Sequence, residues 1–357
     1  MKTLLAMDYR TPALTPALSP GEREKVSQRL SKRAHPLVVR LNAVPPLPEG
    51  EGRGEGGRPN TQTANLSDRR SNLLWPVTLT ALLVTTTLSA ADAPPDKSSY
   101  HFFKPVPREL MREMSTDRPD KTESAYSVDA GHFQVEADLV SYSYDRHNTA
   151  RDHTVSESLA IAPFNFKVGL CNNSDLQFVV PTYNIVRTRD RRTRARETEN
   201  GFGDFIVRNK INLWGNDGGT TAFALMPYVK FPTASKNLGN DAYEGGLIAP
   251  LAVALPAGWG LGLMTQLDIN EDADGSGHHP EFVNTVTFSH DIVGDLGGYV
   301  EFFSSVSTDD DADWVGTVDL GLTYGLTKDI QLDAGINIGV TRSADDWNPF
   351  VGISWRF

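Results

Sequence analysis

The stretch TVDLGLTYGLTKDIQLDAGINIGV, residues 317–340, contains two alternating runs joined by a tight turn. Val318, Leu320, Leu322 and Tyr324 alternate with Asp319 and Thr323. After LTKDI, the residues Ile330, Leu332, Ala334, Ile336, Ile338 and Val340 alternate with Gln331, Asp333 and Asn337. A period of two places the sets on opposite faces of a strand. The segment therefore reads as a β-hairpin with one apolar face and one face that repeatedly carries carboxylates. A sandwich has no use for Asp319 and Asp333 on a repeated inner face, whereas a barrel with a polar lumen does.

The same alternation runs outward in both directions. GHFQVEADL sets Phe133, Val135, Ala137 and Leu139 against Gln134, Glu136 and Asp138. SLAIAPFNFKVGL sets Ala160, Ala162, Phe164, Phe166, Val168 and Leu170 against Asn165 and Lys167. DFIVRNKINLW sets Phe205, Val207, Ile211 and Leu213 against Arg208, Lys210 and Asn212. Connections alternate too. CNNSD, GNDGG, LPAGW, VGDLG and LTKDI are hairpin turns. Longer polar links occupy 145–154, 189–202, 232–243, 270–280, 307–313 and 341–347. The runs number about twelve, each close to the ten residues a tilted strand needs to cross a bilayer. The pattern predicts an all-β fold, a transmembrane antiparallel up-and-down β-barrel over residues 131–357. Its C-terminal strand, FVGISWRF, ends on Phe357 and closes against the first, since a bilayer tolerates no open sheet edge. Val351, Ile353, Trp355 and Phe357 share its apolar face and are similar to the C-terminal insertion signal of outer-membrane barrels.

Bulk properties agree. Of 357 residues 39% are hydrophobic, and the mean hydropathy is −0.33, which excludes a helical membrane bundle but not a barrel. One cysteine, Cys171, excludes an internal disulfide. The net charge of −11 divides into +5 over residues 1–91 and −16 over the remainder. An acidic body excludes nucleic acid as a partner. Residues 1–65, rich in Pro, Gly and charge, read as a disordered extension upstream of the true translation start and resemble a translated intergenic repeat; a disordered arm with its own partner is the alternative. Residues 66–91 follow as a signal peptide. Arg69 and Arg70 precede an uncharged stretch, and cleavage falls after Ala91. A transmembrane anchor is the other reading of that run.

Residues 92–130 form a segment before the barrel. STDRPDKTES leading into DAGHFQVE resembles the bacterial outer-membrane transporter family linked to meta-pathway phenol degradation. So do GFGDFIVRNKINLWGNDGG, PYVKFPTASKNLGNDAYEGGL, LPAGWGLGLMTQLDI, DGSGHHPEFVNTVTFSHDI and GGYVEFFS. The resemblance covers about residues 115–357. It implies a channel or porin-like transporter in the cell outer membrane for small solutes of aromatic or hydrophobic character. Its partners would then be outer-membrane lipid, the barrel assembly machinery and the solute.

Candidate functional residues follow from strand parity. Glu136, Asp138, Lys167, Arg208, Lys210, Lys230, Gln266, Asp268, Glu301, Asp319, Asp333 and Arg356 should face the lumen, either to select solutes or to fill the interior. Asp117, Arg118, Asp120 and Glu123 are candidates for a plug tied to those charges; a solvated periplasmic arm is the alternative. In NEDADGSGHHPE, Asn270, Asp272, Asp274 and Glu281 match ligand positions of a calcium loop, with Asn in place of Asp at the first and no flanking helices. No other cofactor is expected. His278 and His279 point apart on a strand end, which weakens a transition-metal reading. A barrel lipase would need a Ser–His pair on one face; Ser289 and His290 are neighbours and face opposite ways, so no enzyme is expected. A sealed structural barrel is the remaining alternative.

Overall fold

A computed structural model describes residues 95–357 except 149–152, 273, 274, 276, 310 and 311. The signal-peptide and upstream segments lie outside the described residues. Among those described, fifteen strands form one antiparallel sheet. They are β1 (Phe133–Asp145), β2 (Thr154–Ile161), β3 (Phe164–Cys171), β4 (Ser174–Val180), β5 (Tyr183–Asp190), β6 (Arg196–Gly201), β7 (Phe205–Trp214), β8 (Thr221–Phe231), β9 (Glu244–Ala254), β10 (Gly260–Glu271), β11 (His278–Val293), β12 (Leu296–Ser307), β13 (Val315–Thr327), β14 (Ile330–Gly339) and β15 (Trp347–Arg356).

These make twelve staves, because three staves are each broken in two: β2 with β3, β5 with β4, and β6 with β7. The breaks fall at Ala162-Pro163, at Pro181-Thr182 and at Phe202 to Asp204. Proline cannot donate to a ladder, so two of the breaks are written in the sequence. Each break is bridged by its neighbours, with Asp138 N–H donating to Pro163 O (3.0 Å) and Gly203 N–H to Pro181 O (3.0 Å).

The cylinder closes through β1 and β15, paired from Gln134 opposite Arg356 to Tyr144 opposite Trp347 with one register shift between Asp138 and Val140. Phe133 and Phe357 exchange two backbone hydrogen bonds, of 3.0 and 2.9 Å. Their rings stack 5.6 Å apart. The chain's last residue is therefore part of the closing seam.

The outer wall is apolar. Leu247, Phe282, Phe288, Val300, Leu320, Leu322, Leu332 and Val351 are all exposed on it. Aromatic residues cluster at both rims. Trp347 packs on Tyr142 and Tyr144 at the long-loop end, while Trp214 stacks on Phe223 and Trp355 leans on Phe357 at the short-turn end. An apolar belt between aromatic girdles is the surface of a membrane-spanning barrel.

Three sequence expectations are corrected. The run 160–170 is not one continuous face: Ala160 is buried on the lumen side, whereas Ile161 is exposed on the outside. The irregular backbone at Ala162-Pro163, where Ala162 has φ 53°, resets the parity before Phe164. The link 189–202 is not an open loop either, because residues 196–201 form β6 and pair with β5 beyond the breaks. Strand β11 likewise begins at His278, inside the anticipated 270–280 link.

The lumen and its inward loop

Residues 95–132 enter the barrel from the short-turn end. Near the turns, Lys97 is buried and its Nζ lies 3.1 Å from Asp129 and 2.7 Å from Asp217. The chain then climbs beside β1, crosses the lumen between Asp117 and Glu123, and descends along β7 before starting β1. Ser115 O accepts from Gln134 Nε2 (2.8 Å) on the ascending limb, and Ala125 O accepts from Asn212 Nδ2 (2.8 Å) on the descending limb. Residues 112–128 make no backbone–backbone hydrogen bond among the described residues. They hang on side chains of the wall, which satisfies the loop's polar groups without a strand ladder.

The crossing is an ion-pair network. Asp117 pairs with Lys167 and with Lys210, the latter at 2.5 Å, and its N–H donates to Glu136 Oε2 (2.9 Å). Lys167, Lys210 and Glu136 are all but fully buried. Arg118 reaches Asp138 (2.7 Å) on one side and Asp333 (2.6 Å) on the other, with its guanidinium over the Phe350 ring. Asp120 faces Thr287 and Glu301. Lys121 lies 2.8 Å from Asp319, and its N–H donates to Glu301 (2.8 Å). Thr122 donates to Glu301 through both N–H (2.8 Å) and hydroxyl (2.6 Å). Glu123 pairs with Arg208. Buried charges are tolerated only when paired and hydrogen-bonded, and here Asp138, Lys167, Arg208, Lys210, Asp319 and Asp333 of the wall each meet an opposite charge on the loop.

Other candidates lie away from the crossing. Lys230 pairs with Glu244 nearer the long-loop end, and Asp268 accepts from Tyr228 and from Gln266 Nε2 (2.7 Å). Arg356 sits at the short-turn mouth, bonded to Asp329 and, through Nη1, to Arg112 O (2.8 Å). A cavity of about 430 Å³ opens there between Arg108, Met111, Arg112 and Lys328. A smaller one, about 130 Å³, lies beside Asp117, Arg118 and Glu123 against Pro163, Phe164 and Val179 of the broken staves. Val351, Ile353 and Trp355 share the outward face of β15, with Trp355 51% exposed, and Phe357 follows directly after the strand.

Of the calcium-loop candidates, Asn270 and Glu281 lie on the paired strands β10 and β11 rather than in a loop. Asn270 donates to Glu281 (3.0 Å) across the β10–β11 ladder, and Asp272 instead bonds His279 (2.9 Å). Asp272, His279 and Asp309 bring one ligand atom each within 4.8 Å of one another. Asp274 lies outside the described residues. Ser289 and His290 point to opposite faces. The His290 ring packs at a tilt against Trp259 and bonds Ala257 O (3.0 Å) at a turn.

Three features were missed in the sequence. Lys121 and Thr122 stand in the quoted DRPDKTE motif and make as many wall contacts as Arg118. Arg112 anchors the loop's base to Asp129, Asp217 and Asn172; an isolated arginine gives no sign of this. An apolar strip of Met226, Ile248, Met264, Val283, Phe303 and Val315 also packs inside the barrel. These residues occupy polar-face positions, so alternation alone hides them. Glycines accommodate large inward rings nearby: a Cβ on Gly321 would lie 2.3 Å from the Tyr299 ring, and one on Gly335 2.5 Å from Phe350.

The profile of a family described as "Putative MetA-pathway of phenol degradation" matches residues 116–357, from the loop to the last residue. The chain belongs to that family. The matched region starts within the inward loop, so family membership covers the crossing as well as the wall. Among solved structures the chain is similar to an outer membrane channel from Pseudomonas putida F1, with 13% identity, 68% of this chain and 100% of that chain covered, and a TM-score of 0.48. It is also similar to the NanC porin (13% identity, 62% and 98% covered, TM-score 0.39). An anion-selective porin from Comamonas acidovorans follows (9% identity, 63% and 98% covered, TM-score 0.33). No curated protein sequence matches the chain.

Proposed function

We propose that this protein is a non-enzymatic outer-membrane channel through which small, apolar or aromatic compounds pass passively, gated by the loop at Asp117–Glu123. The family's description supports the solute class. The apolar belt and rim aromatics support the membrane, with short turns in the periplasm and long loops outside.

The observation that carries the reading is how the crossing is held. A loop with no backbone ladder to the wall across residues 112–128 can shift by exchanging side-chain partners, whereas a plug paired as a strand could not. Displacing it would connect the cavity near Arg112 to the apolar strip at Met264 and Phe303. Charged wall residues and an apolar strip in one lumen suit a solute with a ring and a polar group.

A sealed structural barrel is the second reading, favoured by the near-complete burial of Met226, Ile248 and Phe303. Conductance of the protein in planar bilayers, with and without benzoate, separates the two. Discrete steps that benzoate reduces support the channel. A silent bilayer from protein that migrates as a folded, heat-modifiable barrel supports the sealed form.

A further inference from the structure

Beyond the stave breaks, β2, β5 and β6 continue as a ribbon past the aromatic rim. The register sorts its side chains into rows on each face. Opposite residues in an antiparallel pair share a face, so the outer face reads Ile161–Tyr183, then Leu159–Ile185–Asn200, then Glu157–Arg187–Thr198, then Val155–Arg189–Arg196. Below the breaks the same outward set on β4 is Leu176, Phe178 and Val180. One stave therefore presents lipid-type side chains, an aromatic residue, and then arginines.

Arg189 and Arg196 stand directly opposite each other across the β5–β6 ladder, both exposed. Like charges in that position repel. Glu197 and Glu199 of the same hairpin belong by register to the other face, where Glu199 accepts from Asn237 (3.1 Å). Among the described residues of this face, Glu157, opposite Arg187, is the one carboxylate in these rows. A body of net charge −16 thus carries a local positive face, outside the lumen and next to the bilayer surface. With a rise of about 3.3 Å per residue, Arg187 and Arg189 lie roughly 13 and 20 Å along the strand from Tyr183. Strand tilt lowers both toward the level of lipid headgroups. Arginine is the side chain suited to paired recognition of phosphate.

We infer that the outer face of this ribbon, Arg187, Arg189 and Arg196, binds the phosphates of the glycolipid headgroup in the outer leaflet, clamping the ribbon to the membrane surface. The inference rests on the outer-membrane placement and on the long loops facing outward. A solute anion is not the occupant argued for, because this face looks away from the lumen.

The test uses the purified protein in detergent micelles with bis-phosphorylated lipid A as the probe, read by native mass spectrometry and by titration. Wild type should retain lipid A. The variant R187Q/R189Q/R196Q should bind it roughly tenfold more weakly or worse, as expected for lost charge-assisted hydrogen bonds. E157Q, which removes the one carboxylate in these rows, should bind more tightly. Monophosphoryl lipid A should bind wild type less well, and inorganic pyrophosphate at equal concentration should not displace the lipid. Equal binding by the triple variant, or by wild type for both lipids, overturns the inference. Displacement by pyrophosphate overturns the commitment to a lipid and leaves a free-anion site. Heat-modifiable migration and conductance, followed in each variant, show whether the barrel and its channel reading stand independently of the result.

Discussion

Arg118 and Asp333, 215 residues apart, form a two-point contact across the lumen: Nη2 to Oδ1 at 2.6 Å and Nε to Oδ2 at 3.3 Å. The remaining guanidinium nitrogen holds Asp138 on the closing strand β1. One loop residue therefore ties β1 to β14 through the interior, on either side of the β15 seam. Replacing Arg118 by Ala takes the two-point guanidinium contact from the buried Asp333 and one partner from the half-buried Asp138, and breaking a buried pair costs roughly 3–5 kcal/mol. R118A should lower the midpoint of heat-modifiable unfolding and, if the loop is the gate, raise the open fraction in single-channel records. R118K keeps the charge but not the fork, and should fall between. Unchanged conductance in a folded R118A barrel would remove Arg118 from any gating role.

Asp117 presents a complementary case. Its carboxylate serves two fully buried lysines, Lys167 and Lys210, one on β3 and one on β7. D117N strands two cations facing one remaining carboxylate cluster of Glu136 and Asp175, and should destabilise more than R118A. The double variant D117N/K210M removes one orphaned cation and should recover part of the loss, because deleting both members of a buried pair is far milder than deleting one. Thermal midpoints of the four proteins in the cycle give the coupling directly.

How much of this was legible in the sequence depends on range. Residues 317–340 declared their hairpin because alternation and a short turn are local signals, and the register Asp319 opposite Asn337 follows from the turn. The closing seam was legible from FVGISWRF for the same reason. The stave breaks were only half visible: Pro163 and Pro181 forbid ladder bonds, but nothing in ETENGFGDF shows that β6 would pair with β5 alone. The lumen partners were beyond reach in detail. Strand parity placed Asp333 and Glu301 inside, yet which of them meets Arg118 and which Lys121 depends on how a ladderless loop crosses a closed cylinder. The apolar strip was hidden because Met264 and Phe303 sit where the alternation demands polar residues.

Glycine beneath an aromatic ring gives a prediction about the wall. Gly321 on β13 lies under Tyr299, and Gly335 on β14 under Phe350, with any added Cβ inside 3 Å of the ring. Rings covering strand glycines shield backbone that would otherwise be weakly packed. G321A must push Tyr299 away from Pro119 of the loop, toward which its hydroxyl points at 3.4 Å. Overpacking of this kind costs about 1–3 kcal/mol. The double change G321A/Y299L should relieve the clash. The thermal midpoint should therefore fall in the single variant and partly return in the double.

The loop's base gives the last prediction, a dependence on pH. Asp217 lies in the turn between β7 and β8, outside the membrane-spanning strands. Burial pushes its carboxyl up, but hydrogen bonds from Lys97 and Asn172 and the charges of Arg112 and Lys97 outweigh this and hold it below the usual carboxylate range. A carboxylate whose pKa is lowered by folding contributes stability that is present above its unfolded pKa, about 3.9, and lost as pH falls through the folded value. At neutral pH the clamp of Lys97 and Arg112 on Asp217 is therefore complete, and it weakens only in strong acid. D217N should be less stable than wild type at pH 6. The gap should narrow as the pH falls below about 4, since wild type then loses what the variant never had. Proteolysis within residues 95–111 reads the same event locally: D217N should be cut faster at pH 6. Equal cutting of both proteins at that pH would mean that Asp129, the other partner of Lys97 and Arg112, holds the base of the loop unaided.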